Sequence, residues 1–203
     1  MEDTYRTLES IAEGSYREKG SRFLAFGYPA DNPGDVKGIL AGIKKKYHDA
    51  RHHCYAYRMG YYGEIYRVCD GGEPSGTAGK PIYGQLLSNN ITNTLVVVVR
   101  YFGGVLLGTG GLINAYRSAT ADMLSRAPIV TRFAVIVLQV VFPYDALDVV
   151  LKIMRDENAT TLQQDFNTRC SLQVSVRKSC MEKVLKRLSL IPGLNCELLQ
   201  NTN

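Results

Sequence analysis

Asp70 and Glu73 flank a pair of glycines, and the chain runs on from Glu73 through Pro74, Ser75, Gly76, Thr77, Ala78, Gly79 and Lys80 to Pro81. Two carboxylates beside a turn can work as acid and base, or hold magnesium next to a phosphate. Ser75 and Thr77 add hydroxyls, which become nucleophiles only if a base such as His52 or Asp70 comes within hydrogen-bond reach, and otherwise serve as helix caps. Further on, Tyr101, Phe102, Gly103, Gly104, Val105, Leu106, Leu107, Gly108, Thr109, Gly110 and Gly111 form a second glycine-rich stretch, with Arg100 before it and Arg117 after it. Glycine costs a helix or strand up to about 1 kcal/mol relative to alanine, so this density signals sharp turns or close backbone approach. Read for chemistry, free amides at a helix start near Gly108, Gly110 and Gly111 suit an anion. Lys80, Arg100 and Arg117 would add charge, and Gly72, Gly76, Gly103 and Gly104 would shape the turns around a shared cavity. Read for architecture, the same glycines only let helix pack against sheet.

Known nucleotide signatures do not fit. A P-loop needs glycine five positions before Gly79, where Pro74 stands, and Ser or Thr after Lys80, where Pro81 stands. Gly108-Thr109-Gly110 begins like a dinucleotide fingerprint, but Ile113 occupies the place of its third glycine. His48, His52, His53, Cys54 and Cys69 have the chemistry of zinc ligands. Successive strand residues point to opposite faces, however, so His53 and Cys54 do not share a centre, and neither metal nor cofactor is expected.

The elements that must carry these residues follow from periodicity. Leu95 to Val99 is a continuous apolar run, as in a strand buried on both faces, and Leu112, Ala115, Tyr116, Ala119 and Met123 recur at helical spacing. Upstream, Arg22 to Tyr28 reads as a strand, and Asn32 to Asp35 as a turn and cap before a helix from Val36 to about Tyr47. His53 to Met59 and Glu64 to Cys69 read as a hairpin, and Thr77 to Leu87 as a helix with Pro81 in its opening turn. This order predicts a two-layer α/β domain. Arg126, Ala127 and Pro128 mark the expected join, giving domains 1–128 and 129–203. In the second, Ile129 to Phe142 reads as one strand, Asp145 as the cap of the next helix, Thr160 to Phe166 and Ser171 to Arg177 as strands, Ser179 with Glu182 as a capping box, and Asn195 to Leu199 as a last strand. The sum is βαββαβ, a ferredoxin-like unit. Ser171 to Arg177 lacks the aromatic residues by which RNA-recognition motifs stack bases.

The chain has 203 residues, a net charge of +5 and 45% hydrophobic residues, enough for two cores and too much for general disorder. No run is apolar and long enough for a leader or a bilayer span, and five scattered cysteines fit reduced thiols, so a cytoplasmic protein without a membrane partner is expected. Charge is local: Lys37, Lys44, Lys45, Lys46, Arg51 and Arg58 meet only Asp49. With Tyr47, Tyr55, Tyr57, Tyr61, Tyr62 and Tyr66 interleaved, this patch suits a polyanion with unpaired bases, and His52 joins it. The competing explanation is a solvated helix face opposite the stripe Val36, Ile39, Leu40, Ile43 and Tyr47.

Three ordered blocks, Glu73 to Pro81, Arg100 to Gly104 and Leu107 to Leu112, together with Ala50, Arg51, His52, Cys54, Tyr55 and Ala56, resemble the YigZ/IMPACT family in its bacterial two-domain form. The chain departs from that pattern at Gly71, where an acid is usual, and at Asn114, where Lys or Arg is common. The resemblance implies a first domain like the second domain of a small-subunit ribosomal protein, a fold class shared with GHMP kinases. It implies a second domain similar to the carboxy-terminal domain of elongation factor G. Eukaryotic family members are translational regulators that use an additional domain lacking here, so the role carries over in outline. The expectation is therefore a non-enzymatic factor that binds RNA or the ribosome, with a translation-related protein as a further partner. The alternative is a small phosphate- or nucleotide-handling enzyme in which Asp70 and Glu73 hold a metal while Lys80, Arg100 and the amides near Gly108 hold phosphate. No pattern encodes the oligomeric state.

Overall fold

The computed structural model describes residues 3–199. Two compact units are present: Tyr5–Arg132, and Phe133 to residue 199 together with Asp3 and Thr4. The division falls beyond Pro128 because β7 (Ile129–Phe133) pairs with β1 (Thr4–Leu8) as a two-stranded sheet.

The larger unit is built on a five-stranded sheet. Its strands are β2 (Ala12–Glu18), β3 (Ser21–Pro29), β4 (His52–Met59), β5 (Ile65–Cys69) and β6 (Thr94–Tyr101). Their order is β2-β3-β6-β4-β5, with every neighbouring pair antiparallel. The apolar run of β6 takes the centre, where both faces need cover. Val96 and Val98 pack with Phe23, Ala25, Cys54 and Ala56 beneath α2 (Gly79–Ser88) and α3 (Gly108–Arg126). Leu95, Val97 and Val99 pack with Phe26, Tyr57 and Met59 beneath α1 (Pro33–Lys46). The expected layer of sheet and helices is therefore present, with α1 as a further layer on the other face. Asn32 caps α1 by accepting from the Gly34 amide at 2.6 Å, Pro33 opens it, and Lys44, Lys45 and Lys46 fill its last turn, where cations complement the carbonyl end of the helix dipole.

Periodicity misses some elements and boundaries: α1 opens at Pro33 rather than Val36 and α2 at Gly79 rather than Thr77. Strands β1 and β2 form from a charge-alternating segment that has no apolar run, because β2 finds its partner in β3. Helix α3 begins at Gly108 rather than Leu112, so the last glycines of the second motif lie inside its first turn.

The smaller unit contains β8 (Val135–Pro143), α4 (Leu147–Asp156), β9 (Thr160–Phe166), β10 (Arg169–Arg177), α5 (Met181–Leu188) and β11 (Asn195–Leu199). The sheet order β11-β8-β10-β9 is all antiparallel, the arrangement of a ferredoxin-like βαββαβ unit. Leu138, Val140, Phe142, Leu172, Val174 and Val176 form its core with Val150, Ile153 and Met154 of α4 and Val184 and Leu188 of α5. Lys183 and Arg187 reach Glu157 at 2.9 and 2.7 Å, and Arg187 reaches Asp156 at 2.7 Å, fastening the two helices together. At the edge, β9 slips register against β10 between Gln173 and Val174, leaving Leu162 as an extra residue.

Three expectations are corrected here. The run Ile129 to Phe142 is two strands, because Ala134 leaves the ladder and bonds through its amide to the Asp3 carbonyl. Asp145 does not cap α4, and Ser179 with Glu182 forms no capping box. Each helix is entered through a short 3-10 turn whose i to i+3 bonds, Leu147 N to Tyr144 O and Met181 N to Lys178 O, do the work of a side-chain cap. The Ser179 hydroxyl donates instead to the Asp3 carboxylate.

At Gly14, where β2 runs under α3, an added Cβ would overlap the Met123 backbone, whereas at Gly38 on α1 it would meet nothing within 4 Å. Urea unfolding of Gly14→Ala is expected to show a loss of about 1–3 kcal/mol. Gly38→Ala is expected to gain up to about 1 kcal/mol.

Candidate functional site

The two glycine-rich motifs meet through a buried ion pair. Strand β6 delivers Arg100 to the sheet end on the α3 side, where its Nη1 donates to both carboxylate oxygens of Glu73, at 2.8 and 3.1 Å. Their side chains are 6% and 3% exposed. Phe23 and Phe102 lie 5.4 and 5.6 Å from the guanidinium carbon, so aromatic faces fill the flanks that water would otherwise occupy. The Tyr116 hydroxyl of α3 donates to Glu73 at 2.7 Å, and the Cys54 thiol of β4 lies 3.2 Å from that hydroxyl and 3.0 Å from the Asp70 carbonyl. Burial pushes the Cys54 thiol far up, away from thiolate, and raises Tyr116 likewise. This network joins β4, β6, α3 and the first motif, with the Cys54 thiol sealed from solvent inside it.

Asp70 is engaged as fully. Its carboxylate accepts from the amides of Gly76 at 2.8 Å, Ala78 at 3.1 Å and Gly79 at 2.8 Å, closing the first motif and capping α2 from a distance. Burial works to raise its pKa, but the amides of Gly76, Gly79 and Ala78 outweigh it and hold the carboxyl below its ordinary value. Thr77 donates its hydroxyl to the Pro74 carbonyl at 2.7 Å, Ser75 is exposed, and the His52 ring bonds through Nδ1 to the Gly71 carbonyl at 3.2 Å. Among the described residues, neither hydroxyl is hydrogen-bonded to a base. Cap duty falls to Asp70, where sequence spacing gave it to Ser75 or Thr77. Among the described residues, no three His, Cys, Asp or Glu side chains gather as a metal site.

The shared cavity expected between the motifs is replaced by this closed contact. Gly103 lies so near Gly20 that an added Cβ would overlap its backbone, and its amide donates to Ser21 Oγ at 3.2 Å. Gly104 and Gly108 take positive φ facing open space, Gly110 is also open, and Gly111 backs onto Leu107. Arg100, already neutralised by Glu73, is not a free anion ligand.

An open cleft of about 370 Å³ lies elsewhere, between α2 and α3, lined by Gly76, Lys80, Pro81, Gly84, Gln85, Ser88, Ile113 and Arg117. Lys80 and Arg117 are exposed there, and no carboxylate lines it. Structure thus brings Lys80, Gly76 and Arg117 together and leaves Gly103, Gly104, Gly108, Gly110 and Gly111 outside that lining. Gly72, like its neighbour Gly71, turns with positive φ beside the His52 ring. Lys44 and Lys45 belong to α1 on the opposite face of the sheet, and Tyr55 packs toward that face as well. Arg51 is exposed just ahead of β4. Sequence reasoning missed Gly84, Gln85 and Ser88; the signal was available, because Lys80, Gly84 and Ser88 repeat at four-residue spacing on one helix face.

Residues 19–124 match the Impact N-terminal domain. The chain is 42% identical to the IMPACT family member YigZ of Escherichia coli (strain K12) over 100 residues, a match spanning 48% of this chain and about half, 49%, of that protein. It is 30% identical to an IMPACT family member of Haemophilus influenzae over 173 residues, 84% of each chain. A crystal structure described as that of a hypothetical protein shares the fold over 99% of this chain and 100% of the other, with a TM-score of 0.73 and 25% identity.

Removing one partner of the buried pair, as in Glu73→Leu, is expected to cost about 3–5 kcal/mol in urea unfolding, and Glu73→Leu with Arg100→Met to recover most of it. For Asp70, the folded pKa lies below the ordinary 3.8, so the unfolded chain binds its proton first as pH falls. Its stabilising share is complete above that ordinary value and is lost as pH drops through it to the lower folded value. Asp70→Asn is therefore expected to flatten the acid limb of stability against pH, read by thermal melting.

Proposed function

The chain belongs to the IMPACT family, and from that premise we propose that it is a non-enzymatic factor that binds RNA or the ribosome and modulates translation, with the α2–α3 cleft as its anion-binding surface. The observation that carries this reading is the charge of that cleft. Lys80 and Arg117 project beside it, α2 contains no acidic residue, and α3 contains none before Asp122. Gly76 and Gly84 keep its walls low, with nothing within 4 Å of a Cβ at Gly84, so a sugar-phosphate backbone can approach α2 closely. The lysines of α1 are assigned a different duty, since they complete a helix end on the far face of the sheet.

The alternative, a phosphate-handling enzyme with Asp70 and Glu73 around a metal, loses support from the same geometry. Both carboxylates have their oxygens engaged, one by amides and the other by Arg100 and Tyr116. Thermal shifts with nucleotides and sugar phosphates, with and without magnesium, keep this reading open to test.

Binding of fluorescent single-stranded RNA at graded salt tests the proposal. Each lost phosphate contact lowers the slope of log affinity against log salt by about 0.7, so Lys80→Ala with Arg117→Ala is expected to lower it by roughly 1.4, and Lys44→Ala with Lys45→Ala to leave it unchanged. Gly84→Leu is expected to fill the cleft and weaken binding without loss of thermal stability. Affinity that is absent at low salt, or indifferent to salt, would sink the proposal.

A further inference from the structure

Beside the cleft, on the other flank of α2, Tyr66 of β5 stacks on Tyr83 of α2 with ring centroids 4.9 Å apart and planes 23° from parallel. Tyr66 is 60% exposed, so one of its faces is backed by Tyr83 and much of the ring is left to solvent. The strand sets this direction: Val68, two residues on, turns the same way and packs into the core beneath α2. Around α2, Tyr83 and Lys80 are i, i+3 neighbours, with Gly84 and Ser88 following toward Arg117. An aromatic platform on β5, a lysine and a glycine-floored cleft on α2, and an arginine on α3 therefore succeed one another, and α2 between them carries no acidic side chain.

We propose that Tyr66, held by Tyr83, is the stacking platform for an unpaired base of a single-stranded RNA whose phosphates lie at Lys80 and Arg117. The inference rests on the anionic reading of the cleft and adds to it the class of nucleic acid. A duplex keeps its base faces stacked inside and offers an exposed ring nothing to cover it, whereas every unpaired base has a free face. The pre-stacked partner matters too, because a ring already held at one orientation loses less freedom when a base settles on it. Gly84 leaves room for the chain to cross α2 between platform and cleft.

The test compares the full chain binding a fluorescent oligouridylate of about twelve nucleotides and an RNA duplex of the same length at one ionic strength. Tyr66→Ala is expected to weaken binding of the single strand roughly 5- to 150-fold while leaving the salt slope unchanged. Binding of the duplex should stay as it was. Tyr66→Phe keeps the ring and should bind as the parent does, and matching circular dichroism of both variants checks that each is folded. If Tyr66→Ala binds the single strand like the parent while the Lys80 and Arg117 substitutions still lower the slope, the stack is a packing pair and only this inference falls. Preference for the duplex overturns it as well. Binding of neither nucleic acid removes the reading of the cleft, and the platform with it.

Discussion

An arginine that follows the unbroken hydrocarbon run Leu95 to Val99 and is buried with it must be neutralised where it stands. Arg100 is carried there by the burial of β6 on both faces, and Glu73 answers it from the loop that follows β5. Desolvating two charges is expensive, and the pair persists because the geometry is double-donated and Tyr116 adds a further hydrogen bond to the carboxylate. The consequence is positional. Fixing Glu73 fixes the loop from Asp70 onward, and Asp70 in turn gathers three amides at the entrance of α2. Through Tyr116 the same contact sets the depth of α3. The cleft between the two helices is thus placed by an interaction that takes no part in lining it.

The arrangement separates two kinds of glycine that look alike in sequence. Gly14, Gly79 and Gly103 stand where another backbone comes too near for any side chain, so they are joints of the fold. Gly84 and Gly110 face open space. Within a helix such a residue is unfavourable by up to about 1 kcal/mol relative to alanine and gains nothing from packing, which leaves access to the surface as its physical value.

Much of the fold was legible. The buried strand, the Asn32 cap, the hairpin and the βαββαβ succession each announce themselves through local periodicity or turn chemistry, and the last strand, Asn195–Leu199, falls at its expected limits. Less was legible at the site. Glu73 and Arg100 both read as available for ligands, because nothing in spacing shows that residues from separate loops neutralise one another. Lys44 and Lys80 both read as anion ligands, because a sequence does not say that their helices cover opposite faces of a sheet. Ile129 to Phe142 read as one strand, since the break at Ala134 comes from a backbone bond to the distant Asp3.

The slipped ladder at Leu162 has a consequence for the company this protein keeps with copies of itself. An outermost strand offers a row of unsatisfied amides and carbonyls on which another chain can grow, and β9 carries no lysine or proline to discourage it. The extra residue bends that row, so a newcomer aligned with its first half loses step in the second. Shape therefore opposes fibril-like propagation along this margin, with Asp165 as the strand's one charge beside it.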